Sequence, residues 1–254
     1  MKIKMVLLIL FILLIAGIFY EVNFPKVNTI EIETDKIATG EEIKIVQISD
    51  LHNKRFFDDN KKVYDSIKEL SPDIIVLTGD IIDRRTEDYQ YVYSFIDELM
   101  KINSHIYYVL GNHELSHKNI NEYKKELEAR GVIIMDGKIE KYKGISIYGS
   151  DYHDKKYPEL IEQSFSLLLT HDASLAISSY HNFDLVLSGH THGGQVRLPL
   201  IGAVYAPGQG FFPRHAKGLY EIENEKIYID SGLGNTFLPI RFLNQSQISF
   251  IEIK

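Results

Sequence analysis

The stretch Ile43-Lys44-Ile45-Val46-Gln47-Ile48-Ser49-Asp50-Leu51-His52 decides the reading of this chain. Ile43 to Ile48 is a short, largely apolar, β-branched run of the kind that forms a buried strand. It ends in a carboxylate and an imidazole two residues apart, Asp50 and His52. Open α/β sheets bind their ligands in the crevice at the carboxyl ends of their strands. Asp50 alone could equally cap a turn.

Working outward, the pattern repeats. Ile74 to Leu77 is a second buried strand and leads into Gly79-Asp80-Ile81-Ile82-Asp83-Arg84. Ile106 to Leu110 is a third and leads into Gly111-Asn112-His113-Glu114. Ser166 to Leu169 ends in Thr170-His171-Asp172, and Phe183 to Ser188 ends in Gly189-His190-Thr191-His192-Gly193-Gly194-Gln195. On extended backbone His190 and His192 would face the same side. Taken singly, each cluster has an ordinary explanation: a left-handed turn at Asn112, an exposed His171, a glycine-rich surface turn around His190 and His192. Yet five of the ten histidines fall within these clusters. Five such strand ends would converge on one crevice.

Between the strands the periodicity predicts helices over Asn60–Leu70, with Val63, Ile67 and Leu70 on one stripe, and over Tyr89–Met100. Further helices are expected over Asn121–Arg130, terminated by Gly131, and over Ala173–Tyr180. The second half is richer in strands: Val132–Met135, Ile139–Tyr142, Ile145–Tyr148, a hairpin of Gly218–Ile222 with Lys226–Ile229, and a closing strand Gln247–Ile253. A βαβ half followed by a β-rich half predicts an α/β fold of two mixed sheets packed together, with helices outside.

Composition narrows the function. At 254 residues, 44% hydrophobic and 25% charged, the chain is globular rather than disordered. It has no cysteine, which excludes disulfides, thiolate catalysis and cysteine-held zinc. A formal charge of -7 argues against a broad nucleic-acid surface, and no nucleic-acid partner is expected. Carboxylate, imidazole and amide oxygen without thiolate suit Mn, Fe or Zn. Seven such side chains are too many for one ion but fit two ions bridged by a carboxylate, a common arrangement for hydrolysing phosphate esters.

The amino terminus adds a location. After Lys2 and Lys4 an uninterrupted apolar run extends from Met5 to Tyr20. As a helix that run spans about 24 Å, short of a typical membrane span. A cleaved signal peptide and an uncleaved signal-anchor both fit, and the poor cleavage site at Ile15-Ala16-Gly17 favours the anchor. The lysines would stay cytoplasmic, leaving a single-pass cell-membrane protein with its catalytic domain extracytoplasmic. The expected organisation is an anchor over 1–21, a spacer and edge strand over 22–41, and the folded domain over 42–254.

The blocks Asp-x-His, Gly-Asp-x-x-Asp-Arg, Gly-Asn-His-Glu, a lone His and Gly-His-Thr-His, in this order from Asp50 to His192, closely resemble those of the calcineurin-like metallophosphoesterases. Gly193 to Pro199, Tyr205 to Gly210 and Gly232 to Thr236 resemble one bacterial membrane-associated subfamily, which includes hydrolases of UDP-2,3-diacylglucosamine. The resemblance covers roughly residues 27–254 and implies a four-layer α/β/β/α sandwich. It implies that Asp50, His52 and His192 hold one metal, that Asn112, His171 and His190 hold the second, and that Asp80 bridges them. A hydroxide between two divalent ions (Mn, Fe or Zn) would then attack phosphorus in a monoester, diester or pyrophosphate. His113 would face the leaving group, Asp83 would orient His113, and Arg84 would bind phosphate, a surface salt bridge being the alternative for Arg84. Glu114 and Asp172 would lie behind the ligands. His105, His117, His153, His181 and His215 are expected to be structural or exposed. Leu198 to Arg214 would form either a loop over the crevice or a buried structural loop. The partners this reading implies are a phosphorylated substrate, in one version lipid-linked, and the membrane, with the chain a monomer. Nucleotides or cyclic nucleotides are the alternative substrates, and a non-catalytic interaction module is the alternative class.

Overall fold

The computed structural model describes residues 2–38, 40–150, 160, 163–179, 182–236 and 238–254. The amino-terminal half runs α1 (Lys2–Asn23), β1 (Lys26–Ile32), β2 (Ile43–Ile48), α2 (Lys61–Leu70), β3 (Ile74–Thr78), α3 (Gln90–Ile102), β4 (Ile106–Val109), α4 (Asn112–Leu115), α5 (Ile120–Ala129) and β5 (Ile133–Ile134). There follow β6 (Ile139–Tyr142), β7 (Ile145–Gly149), β8 (Phe165–Leu169), α6 (Ala173–Ser179) and β9 (Leu185–Ser188). Two short ribbons, β10 (Arg197–Leu198) with β11 (Gly202–Ala203) and β12 (Tyr205–Ala206) with β13 (Gly210–Phe211), precede β14 (Gly218–Ile222), β15 (Glu225–Ile229) and β16 (Gln247–Ile253).

Two six-stranded sheets result, ordered β1-β16-β2-β3-β4-β5 and β14-β15-β9-β8-β7-β6. Strands β2 to β5 are parallel, as are β7, β8, β9 and β15; the antiparallel pairs are β16 with β2, β6 with β7 and β14 with β15. Alternation along the strands sorts their side chains into layers. Ile45, Ile74, Val76 and Val109 face inward and meet Ile147, Leu167, Leu169 and Leu187 of the second sheet. Val46, Ile48, Ile75 and Leu77 face outward beneath Val63 and Ile67 of α2 and Phe95, Ile96 and Leu99 of α3. On the opposite face, Ala173 and Ala176 of α6 cover Leu168, Val186 and Ile229. The molecule is a four-layer α/β/β/α sandwich. Tyr180, the last residue of the predicted helix over α6, lies outside the described residues, as do His153 and His181.

Helix α1 is longer than its apolar run. The flanking residues continue the helix to 22 residues, about 33 Å at ~1.5 Å per residue, which is long and apolar enough to cross a membrane. Its side chains from Ile3 to Tyr20 are almost all exposed. The helix does not lead into a free spacer. The Glu21 carboxylate accepts the Leu243 and Asn244 amides at 3.0 and 2.9 Å, and Ser246 donates its amide to the Glu21 carbonyl at 2.8 Å. Lys54 donates to the Val22 carbonyl, and β1 then pairs in parallel with β16 at the edge of the first sheet.

Candidate functional site

The residues singled out in the sequence meet at the carboxyl ends of β2, β3, β4, β8 and β9, where two sheets of parallel strands open onto the same crevice. They form two outer groups, with a third, His52, Asp80 and His113, overlapping both. Asp50, His52 and His192 offer donor atoms within 4.8 Å of one another, and so do Asp80, His171 and His190. His192 Nε2 lies 3.2 Å from His52 Nε2 and 3.4 Å from Asp50 Oδ1. His171 Nε2 lies 3.0 Å from His190 Nδ1 and 3.1 Å from Asn112 Oδ1. Asp80 Oδ2 stands between the groups, 3.7 Å from His52 Nε2 and 3.3 Å from His171 Nε2.

The backbone achieves this differently from the extended geometry expected of His190 and His192. Those two residues, with Asp50, His52 and Asp80, all have positive φ, between 48° and 70°. Side-chain sterics disfavour that region for non-glycine residues, and such strain concentrates where structure serves function. Hydrogen bonds hold the loops in it: His52 donates its amide to the Asp80 carbonyl, Asp50 to Gly79, and Gly189 to His171. Thr191 is more than a spacer. Its hydroxyl donates to the Ala216 carbonyl at 2.6 Å and accepts the Gly193 amide.

Supporting groups fix the inward atoms. His171 Nδ1 donates to the Thr78 carbonyl at 2.8 Å, which turns its Nε2 into the cluster. Asp50 receives Ser49 Oγ and the His190 amide. Asp80 Oδ1 accepts the His113 amide at 2.9 Å. Glu114 does what the sequence did not reveal: its carboxylate, fully buried, accepts the amides of Asp80, Ile82 and Gly111 and so shapes the turn that carries Asp80. Asp172 accepts the Ser174 amide at the start of α6. His117 is buried between Tyr89 and the Thr86 carbonyl, His215 meets Tyr220 edge to face, and the exposed His105 meets Tyr142 in the same way.

Electrostatically the pocket is built for a cation. Burial pushes the Asp50 carboxyl up to about 7, with Asp80 and Asp230 adding to it. Burial lowers His52 and His190 to about 4 and His192 well below its ordinary value, so these imidazoles are neutral with lone pairs available. Burial opposes charge on both Asp80 and His171, but their mutual attraction wins: the Asp80 carboxyl is held below the ordinary range and His171 rises to about 10. His171 holds its extra proton against Asp80, where an ion would take over that charge, and imidazoles, carboxylates and an amide oxygen packed without thiolate fit a divalent ion of the Mn, Fe or Zn class.

Close packing around the cluster makes a direct prediction. A Cβ on Gly189 would come 1.8 Å from Ser49 Oγ and 2.5 Å from Asp50 Oδ2. Gly189→Ala should therefore displace Asp50 and weaken metal binding by about 10- to 100-fold, the usual range for disturbing groups that hold ligands in place. A metal titration of the variant with unchanged affinity would contradict this.

Beside the cluster lies a crevice of about 320 Å³ lined by Asp83, Arg84, Arg85, His113, Pro207 and Thr236, among others. His113 Nδ1 is 3.2 Å from Asp83 Oδ2 and 3.1 Å from the Arg84 amide, and its Nε2 is 3.2 Å from Arg84 Nη2. Burial lowers its pKa, and Arg84 lowers it further against the pull of Asp80 and Asp83. Arg84 thus sits against His113 rather than in a surface salt bridge, and the neighbouring Arg85 joins it in the wall. Pro207 and Thr236 also border an apolar groove of about 440 Å³ that runs on between Val196, Val204, Tyr205, Leu238 and Ile240. The segment from Leu198 to Arg214 is therefore a pair of ribbons beside the crevice, with Pro207 reaching its wall.

Comparison with known proteins agrees with this geometry. The profile of the calcineurin-like phosphoesterase family matches residues 43–194. The chain is 35% identical over 230 residues to the metallophosphoesterase YkuE of Bacillus subtilis, covering 83% of this chain and 79% of that protein. It is 30% identical to the metallophosphoesterase YkoQ of the same organism, covering 98% and 99%. Among solved structures, TT1561 of Thermus thermophilus shares the fold with a TM-score of 0.50 at 14% identity, over 76% of this chain and 91% of that one. The chain belongs to the calcineurin-like phosphoesterase family.

Proposed function

We propose that this protein hydrolyses a phosphoester with two divalent ions, one held by Asp50, His52 and His192 and the other by Asn112, His171 and His190, with Asp80 between them. The observation that carries the reading is the position of Asp80 Oδ2, one carboxylate oxygen within 3.7 Å of a donor from each group. Ions bound there would supply positive charge to the phosphoryl oxygens and lower the pKa of water.

The chain's own residues would do the rest. The Arg84 amide donates to His113 Nδ1, so the neutral ring carries its proton on Nε2, 3.2 Å from the Arg84 guanidinium. A phosphoryl oxygen entering the crevice attracts Arg84, because guanidinium pairs strongly with phosphate. Drawing Arg84 away removes a positive neighbour from His113 and favours its protonation beside Asp80 and Asp83. His113 is then placed to give that proton to the leaving oxygen. His113→Ala should lower turnover on an aryl phosphodiester by about 100- to 10,000-fold. Its metal content, measured on the same sample, should match the wild type; loss of an ion would instead make His113 a ligand.

The substrate on this reading is amphiphilic. Its phosphate would lie in the polar crevice and its apolar portion in the adjoining groove between Val196, Val204, Leu238 and Ile240. Helix α1 would anchor the chain in the membrane, with Lys2 and Lys4 on the cytoplasmic side and the catalytic domain outside.

A further inference from the structure

We infer that the two ribbons from Arg197 to Phe212 form a second membrane contact, seated in the surface of the same bilayer that α1 enters. The inference rests on reading α1 as a membrane anchor. The turn of the first ribbon carries Leu200, and Phe212 directly follows the last strand of the second, both at left-handed backbone positions that favour Gly or Asn. Leu200 has φ 67° and is 108% exposed, and Phe212 has φ 53° and is 63% exposed. Leucine and phenylalanine in the left-handed region are sterically disfavoured, and both side chains stay largely in solvent, Phe212 with its ring 6.5 Å from that of Phe211. Ile201 and Phe211 beside them are exposed as well, so each ribbon presents a pair of neighbouring apolar side chains.

The backbone ties this patch to the foot of α1. The Arg197 amide donates to the Phe242 carbonyl, Val196 pairs with Phe242, and the next two residues donate their amides to Glu21 at the end of the helix. The ribbons and the anchor are thus neighbours through one short hydrogen-bonded strip, with the exposed Leu243 between them. Charge points to the same occupant. The chain carries a net -7, yet Leu185 to Tyr220 contains no Asp or Glu and includes the exposed Arg214. Exposed apolar side chains in a stretch free of carboxylates, with Arg214 exposed close by in sequence, suit an anionic lipid surface, the side chains among the acyl chains and the guanidinium at the phosphates. Seated so, the groove beside the catalytic crevice would open at the membrane surface.

The chain has no tryptophan, so single substitutions give unambiguous reporters. The full-length protein would be reconstituted into phosphatidylcholine–phosphatidylglycerol vesicles as Leu200→Trp, Phe212→Trp, Phe11→Trp in α1, or Lys141→Trp on β6 at the far edge of the second sheet. The expected result is blue-shifted emission, quenched by acyl-brominated lipid, at positions 200, 212 and 11 and not at 141. Quenching at 11 with water-like emission at 200 and 212 would overturn the inference and leave the anchor standing. No quenching at 11 would overturn the anchor and the inference with it. Blue-shifted but unquenched emission at 200 and 212 would mean that protein, such as a second copy of the chain, covers the patch, which also overturns it.

Discussion

Asp80→Asn should leave a folded protein that binds at most one ion per chain and loses phosphodiester turnover by about a thousandfold or more. The magnitude follows from the role: charge stabilisation by a second ion is worth several kcal/mol, and about 4 kcal/mol corresponds to a thousandfold. The substitution keeps shape and removes charge. Glu114 holds the turn through the backbone amides of Asp80 and Ile82, which asparagine retains, so the loop has no reason to collapse. What changes is Oδ2, the oxygen that faces both His52 and His171. Metal analysis and single-turnover hydrolysis on one preparation check the point. Two ions and full turnover in the variant would remove Asp80 from the centre of the site.

Arg241→Met should destabilise the fold by about 3–5 kcal/mol, the scale for removing one member of a buried, hydrogen-bonded charged group. Arg241 is completely buried. Its guanidinium donates to the carbonyls of Ser231 and Gly234 at 2.6 Å, Gly232 at 3.0 Å and Asn244 at 3.2 Å. Burial lowers its pKa to about 10, with Asp230 and Asp50 pulling the other way, so it remains charged at neutral pH. Methionine would leave those carbonyls without a donor in the interior, each a cost of about 1–3 kcal/mol unless water reaches it. The loop they belong to roofs the site. Leu233 donates its amide to Ser49 and Gly234 to Asp50, and Gly232 packs so closely that a Cβ there would lie 2.7 Å from Asp50 Cβ. Chemical denaturation reads the loss directly. An unchanged midpoint would mean that the carbonyls find other partners.

These two residues mark the boundary of what the sequence reveals. Asp80 was legible because it stands in a block with Gly79, Asp83 and Arg84 after an apolar strand. The strands were legible from their β-branched apolar residues: runs such as Ile43–Ile48 and Gln247–Ile253 are buried along most of their length. Arg241 gave no signal. A lone arginine between Ile240 and Phe242 looks like surface, and only the folded loop shows that its fork matches four inward carbonyls. Glu114 was placed behind the ligands, but its hold on the Asp80 turn depends on amides after β3, a different strand from its own, which sequence spacing does not encode. The conformation around His190 and His192 was misread for a related reason. Period-two geometry holds only on extended backbone, and the loop abandons that geometry where the strand ends. The ribbons after Gln195 are two-residue pairs whose register comes from contacts with Phe242 and Val204, far from or across the local sequence.

Membership of the calcineurin-like phosphoesterases establishes metal-dependent phosphoester hydrolysis as the chemistry of this chain. The arrangement at Asp80 adds the claim that two ions act together. The most direct test strips the purified protein with chelator, then titrates Mn back while following both bound metal and hydrolysis of an aryl phosphodiester. The account predicts no activity in the stripped protein and recovery that saturates as the second ion per chain binds. Full activity after one ion, or activity that survives complete removal of metal, would contradict it.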